Sequence, residues 1–176
     1  MKLDAQGWLS GVKRVVSPNY DARPPQARIC LLVIHNISLP PNKYGGDAIK
    51  RFFTNTLDYS EHAYFEQLKG VRVSSHFLIR RDGQVLQFVA CNQRAWHAGV
   101  STWRDRTRCN DFSIGIELEG SDFEPYTERQ YVVLGRLVRR LKRAYPISDI
   151  VGHSDIAPAR KTDPGPYFDW ERIRQG

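Results

Sequence analysis

A chain of 176 residues with 41% hydrophobic content is long enough to bury its own core without disulfides or a structural metal, and a single globular domain over residues 1–176 is expected. Its 26 Lys and Arg against 19 Asp and Glu give a formal charge of +7, which favours an anionic partner: nucleic acid, anionic lipid, or a carboxylate-rich small molecule. No apolar run approaches the roughly 20 residues of a membrane span, and Cys30, Cys91 and Cys109, odd in number and without CxxC spacing, indicate neither a disulfide framework nor a Cys-rich zinc module.

The opening, through Ser17-Pro18-Asn19-Tyr20-Asp21 and Pro24-Pro25, reads as irregular. Ile29 to Ile34 is a continuous apolar run, the pattern of a strand buried on both faces, and His35 and Asn36 fall at its carboxyl end. From Pro40 to Gly70 the chain begins with Pro40-Pro41 and Gly45-Gly46, carries a short helical pattern from about Asp47 to Phe53, and then loses its period. Such a long excursion could cover a cleft. Ser75 to Arg80 alternates, turns at Asp82-Gly83 and returns along Gln84 to Val89, the signature of a β-hairpin.

Phe112 to Glu119 also alternates, with Phe112, Ile114, Ile116 and Leu118 on one face and Ser113, Gly115, Glu117 and Glu119 on the other. The small residues beside Glu117 leave room for another group. Thr127 with Gln130 makes a capping-box signature ahead of Tyr131, Leu134, Leu137, Val138 and Leu141 at helical spacing, and Pro146 closes that helix. Its outer side is basic, through Arg136, Arg139, Arg140 and Arg143. Ile150-Val151 reads as a last short strand. No repeat or linker interrupts this order, so an α/β domain is expected, a mixed central sheet with helices packed around it.

Gly152 to Pro166 carries His153, Lys161 and Asp163 in a segment where Pro158 and Pro164 remove backbone donors and fix φ. No helix is expected there, and its polar side chains would be presented from a stiff, irregular course. Lys161 and Asp163, two apart, share a side if the course is extended. His153 and Asp163 suit zinc, but two ligands do not make a site, and a third must come from elsewhere in the chain. His35 and His153 each lie just past an apolar strand, and the carboxyl edge of a sheet is where distant side chains converge. Taken alone, each histidine reads as an ordinary hydrogen-bonded side chain. A nearby carboxylate and ammonium weaken that reading and leave a catalytic metal site open as the alternative, which takes three protein ligands and leaves a position for water. His62 and His76 read as structural.

Five pieces of the chain resemble, in order and spacing, the zinc-dependent N-acetylmuramoyl-L-alanine amidases. They are Val33-Ile34-His35-Asn36, Ser75-His76-Phe77-Leu78-Ile79, Ala95-Trp96-His97-Ala98-Gly99, Asn110 to Gly120, and Gly152-His153 through Lys161-Thr162-Asp163-Pro164-Gly165-Pro166. The likeness runs from about Ser17 to Trp170. It is strongest toward the cytoplasmic branch of the family that acts on anhydro-muropeptides.

The resemblance implies one zinc per chain, held by His35, His153 and Asp163 in a cleft at one edge of the sheet, with Glu117 and Lys161 as the catalytic pair. Asp163 stands where some members have Cys, and its oxygen is an acceptable zinc ligand. The implied substrate contacts are Asn36, Tyr64, Arg72, Trp96, His97 and Arg108. For Arg72, Arg108 and Trp96 the alternatives are solvated charge, solvated charge and core. The implied reaction is hydrolysis of the amide joining the lactyl group of N-acetylmuramic acid to L-alanine of a stem peptide, with Glu117 as general base and Lys161 stabilising the oxyanion.

A monomer is expected, with a small anionic muropeptide as partner and neither nucleic acid nor membrane. No apolar segment of signal-peptide length opens the chain, so a cytoplasmic protein serving muropeptide recycling is expected. A lytic amidase acting on polymeric murein ranks second, since it would need export or lysis. A non-catalytic peptidoglycan-binding protein of this fold would need a broken metal triad, and here the three positions are filled.

Overall fold

The computed structural model describes residues 2–174. Among these residues ten strands are present: β1 (Lys13–Arg14), β2 (Tyr20–Ala22), β3 (Leu31–Ile37), β4 (Phe77–Ile79), β5 (Val85–Gln87), β6 (Gln93–Ala95), β7 (Thr102–Trp103), β8 (Arg106–Thr107), β9 (Ser113–Glu119) and β10 (Asp149–Gly152). The helices are α1 (Ala48–Phe53), α2 (Glu128–Ala144), α3 (His153–Ile156) and α4 (Glu171–Arg174), with 3₁₀ turns at Tyr59–Glu61, Ala63–Leu68 and Cys109–Asp111. Six strands form the central sheet in the order β1-β5-β4-β9-β3-β10. Within this sheet only β4 and β5 pair antiparallel, the hairpin expected around Asp82-Gly83; its other pairings are parallel.

Alternation sorts the side chains between two faces. Leu32 and Ile34 of β3, Phe77 and Ile79 of β4, and Ile114, Ile116 and Leu118 of β9 pack with Leu134, Leu137, Val138 and Leu141 of α2 in one core. On the other side Leu78, Leu86 and Phe88 meet Phe52, Phe53, Leu57 and Phe65 from the long excursion, while Leu31 and Val33 meet Cys109, Phe112, Val151 and Ile156. The sheet is thus covered on both faces, which is why β3 reads as an unbroken apolar run. Three free cysteines are found, Cys91 and Cys109 buried and Cys30 partly so.

The capping box of α2 forms as its sequence requires: Thr127 Oγ1 accepts from the Gln130 amide at 3.2 Å, and Gln130 Oε1 accepts from the Thr127 amide at 3.0 Å. Thr127 also donates to the Arg81 carbonyl at 2.8 Å, tying the helix start to the hairpin. Thr127→Ala is expected to cost about 1 kcal/mol, a loss of roughly 2–4 °C in Tm for a chain of this size, measurable by thermal denaturation.

Four expectations need correction. Phe112 does not share the face of Ile114, Ile116 and Leu118, because it precedes β9 and packs with Leu31 and Val33. The amino-terminal stretch is not wholly irregular, because β1 adds a parallel edge strand to β5 and β2 pairs with β6. β3 runs past Ile34, so His35 and Asn36 are strand residues. His153 opens the one-turn helix α3, and the irregular course begins only at Ala157. The proline effect starts at Pro158 and leaves the four residues before Ala157 free to turn.

Candidate active site and metal centre

The parallel strands β3, β9 and β10 end at the same edge of the sheet, and that edge carries the site. In register, His35 lies beside Glu117, and Gly152 lies beside Ile34, so the next residue, His153, reaches the end of β3. His35 and Glu117 share the face opposite α2, the parity that places Ile34 and Ile116 in the core. Asp163 returns to this edge on the loop after α3. The Ser154 amide donates to the Asp163 carbonyl at 2.9 Å, and the Tyr126 hydroxyl donates to the Pro164 carbonyl at 2.7 Å. Gly152 permits the closure, since a Cβ there would stand 2.7 Å from Pro164 Cδ.

Three donor atoms converge. His35 Nδ1 lies 2.9 Å from His153 Nδ1 and 3.0 Å from Asp163 Oδ2, and the last two are 3.1 Å apart. The tautomer of His153 is fixed by its surroundings: its Nε2 lies 3.1 Å from the Ala98 carbonyl, which can only accept, so the proton sits on Nε2 and Nδ1 presents a lone pair. Arg160 holds the same carbonyl at 2.9 Å. Two electron-rich atoms and a carboxylate oxygen so close together, with an outward N–H orienting a ring, match the chemistry of a divalent-cation site of the zinc type. Burial drives the His35 imidazole down to about 4, against the pull of Asp163, which keeps it neutral as a ligand must be. Burial raises the Asp163 carboxyl, but its close pairing with the His153 and His35 rings outweighs that and holds the group below its ordinary range.

Beside this cluster opens a cavity of about 420 Å³, within the range of small-molecule sites. His35, His153, Asp163, Glu117 and Lys161 all line it, as do Asn36, Tyr64, Trp96 and His97. One wall comes from the excursion, through Leu39, Pro41, Asn42, Phe52, Phe53 and Leu68, so that segment borders the cleft as its length suggested. Glu117 is only 8% exposed, and its Oε2 has no hydrogen-bond partner. Its carboxyl is pushed well above the usual carboxylate range, first by burial and then by the charge of Asp163, with the Lys161 ammonium pulling the other way.

The remaining expected residues divide. Asn36 is partly committed, donating to Asp122 Oδ1 at 2.7 Å. Trp96 is half-buried at the cavity wall. Arg72 is exposed and does not line the cavity, although Val71 and Val73 on either side of it do. Arg108 is also exposed, outside the cavity, and its Nε lies 3.2 Å from Asp111 Oδ2. The room that the small residues leave beside Glu117 is occupied. The His97 ring fills it, lying so close to Gly115 that a Cβ there would come within 2.5 Å.

Sequence reasoning overlooked Asp122 and Phe123. Asp122 receives Asn36 and the Thr162 hydroxyl, joining β3 to the metal-candidate loop. Phe123 lines the cavity with its side of the chain 76% exposed. The only signal was their place, a few residues past the end of β9 at Glu119.

The chain matches the N-acetylmuramoyl-L-alanine amidase family over residues 25–166. The 1,6-anhydro-N-acetylmuramyl-L-alanine amidase AmpD of Escherichia coli K12 is 55% identical over 171 residues, covering 96% of this chain and 93% of the relative. A crystal structure of a selenomethionine AmpD derivative superposes with a TM-score of 0.96 at 54% identity, over 99% of this chain and 98% of that one. The E. coli amidase AmiD, solved with the substrate anhydro-N-acetylmuramic acid-L-Ala-D-gamma-Glu-L-Lys, superposes with a TM-score of 0.62 at 32% identity, over 87% of this chain and 60% of that one. This chain therefore belongs to the N-acetylmuramoyl-L-alanine amidase family.

Proposed function

We propose that this protein is a zinc amidase that hydrolyses the amide between the lactyl group of 1,6-anhydro-N-acetylmuramic acid and L-alanine of the stem peptide, in the recycling of cell-wall fragments. The observation that carries this reading is the convergence of the His35, His153 and Asp163 donors beside the buried, unpartnered carboxyl of Glu117 in one cavity. The AmpD relatives act on the anhydro sugar by name, and AmiD was solved with an anhydromuramyl tripeptide, which supports the same substrate class here.

Zinc held by the three ligands would supply Lewis acidity, polarising a carbonyl and acidifying water. The rest is work for side chains. Glu117 takes the proton of the attacking water on its free oxygen and returns it to the departing alanine nitrogen; its raised proton affinity suits both transfers. Lys161 contributes a positive charge toward the oxyanion that develops on the lactyl carbonyl, the kind of stabilisation that usually lowers the barrier most. The apolar wall of Leu39, Phe52, Phe53 and Leu68 limits water around the reacting amide. We further propose that residues 1–176 form one amidase domain acting as a cytoplasmic monomer. No described helix is long and apolar enough to cross a membrane.

The formal charge of +7 suits a substrate rich in carboxylates. Arg72 and Arg108 are proposed to pair with stem-peptide carboxylates from positions outside the cavity, each charge-assisted bond contributing about 1.5–3 kcal/mol. Arg72→Ala and Arg108→Ala are then expected to lower kcat/KM on anhydromuramyl peptides without loss of zinc, and by less on substrates lacking the paired carboxylate. Unchanged kinetics would return both to solvated surface charge. The specificity is tested by kcat/KM on an anhydromuramyl peptide against intact sacculi: a clear preference for the small substrate is expected, and equal activity would favour a lytic amidase.

A further inference from the structure

A line of three buried groups leads away from the metal-ligand candidates into the protein. His35 Nε2 lies 2.9 Å from His97 Nδ1, and His97 Nε2 lies 3.1 Å from Ser113 Oγ. The backbone holds this line in place. The amides of His97 and Ala98 both donate to Asn110 Oδ1, at 3.1 and 2.8 Å, and the His97 ring occupies the space that any side chain at Gly115 would need.

Between neutral imidazoles one nitrogen donates and the other accepts, so protons can run along this line in only two ways. In one, His35 Nε2–H donates to His97 and His97 Nε2–H donates to Ser113, which leaves the lone pair of His35 Nδ1 directed at the side where His153 and Asp163 converge. In the other, Ser113 donates to His97, His97 donates to His35, and His35 Nδ1 carries a proton that bars it from a cation. His153 has no such choice, because its outward nitrogen meets a carbonyl.

We propose that His97 is a positioning residue, which with Ser113 as terminal acceptor holds His35 in the tautomer that offers Nδ1 to zinc. The proposal rests on the ligand assignment made above. It gives His97, a buried side chain at the cavity wall, a role toward the protein through its contacts with His35 and Ser113. It also accounts for glycine at 115, where no positive φ demands one.

The test is zinc affinity, measured by competition with a chromophoric chelator, together with the protonation of the His35 nitrogens read by ¹⁵N NMR in the zinc-loaded protein. His35 is expected to be protonated at Nε2. His97→Ala is expected to weaken zinc binding roughly 10- to 100-fold, the usual cost of an outer partner of a metal-bound histidine, while His97→Asn, whose Oδ1 can take the place of Nδ1 as acceptor, restores most of it. Gly115→Ala should reproduce the loss by displacing the ring, and add little to it in the His97→Ala background. Ser113→Ala, a smaller change, serves should His97→Ala fail to fold. Wild-type zinc affinity in folded His97→Ala or Ser113→Ala, or a His35 protonated at Nδ1, would overturn the proposal. If His35→Ala loses zinc in the same assay while His97→Ala keeps it, the ligand assignment stands and the positioning role falls; if His35→Ala keeps zinc, both fall.

Discussion

His35→Ala, His153→Ala and Asp163→Ala are each expected to lose stoichiometric zinc and amidase activity while remaining folded. A three-ligand site has no spare donor, so removing one should weaken metal binding by more than the roughly 10- to 100-fold that an outer partner costs. The fold should survive because the sheet is covered on both faces by apolar side chains that owe nothing to the metal: α2 on one side, the excursion and the Val151–Ile156 region on the other. In Asp163→Ala the loop also keeps its backbone anchors, the Ser154 amide on carbonyl 163 and the Tyr126 hydroxyl on carbonyl 164. Metal analysis after gel filtration, with circular dichroism on the same samples, checks both halves. Full zinc content in all three variants would sink the assignment.

Glu117→Gln and Lys161→Ala should separate chemistry from binding. Both are expected to keep zinc and to lose at least about 10²-fold in kcat, the scale of a general base or a single oxyanion donor. Glutamine keeps the shape of Glu117 and removes its ability to take a proton. It leaves the His35 side of the site intact, because Glu117 is not among the three converging donors and its Oε2 stands unpartnered. The measurement is steady-state kinetics on an anhydromuramyl peptide with zinc content determined in parallel. Near-normal turnover in Glu117→Gln would move the base to another group. Glu119 is poorly placed for that role, since it accepts from the Gly45 and Arg81 amides and from Arg80.

The parts of the fold that could be read in the sequence are those where one local rule decides. The apolar run of β3, the Asp82-Gly83 hairpin, the alternation of β9 and the capping box of α2 each express a period or a turn that no distant contact needs to settle. What escaped depends on pairing across the chain. β1 and β2 are two- and three-residue strands defined by their partners β5 and β6, and nothing in their own residues marks them. The site divides in the same way. The three candidate ligand positions draw notice as strand-end histidines and a proline-bounded aspartate, but it is the family resemblance that joins them into one set, and the structure brings their donor atoms together. Ser113 and Gly115 looked like empty space beside Glu117, because sequence cannot say that a ring from another segment fills it. Phe123, exposed at the cavity, looked like one more loop residue.

The central claim, that this chain cuts the lactyl–alanine amide by hydrolysis, is tested most directly by digesting an anhydromuramyl tripeptide in H₂¹⁸O with the zinc-loaded protein and weighing the two products. The account predicts anhydro-N-acetylmuramic acid carrying one ¹⁸O in its lactyl carboxylate and an unlabelled tripeptide with a free alanine amine. Recovery of intact substrate, or ¹⁸O in the peptide fragment, would contradict it.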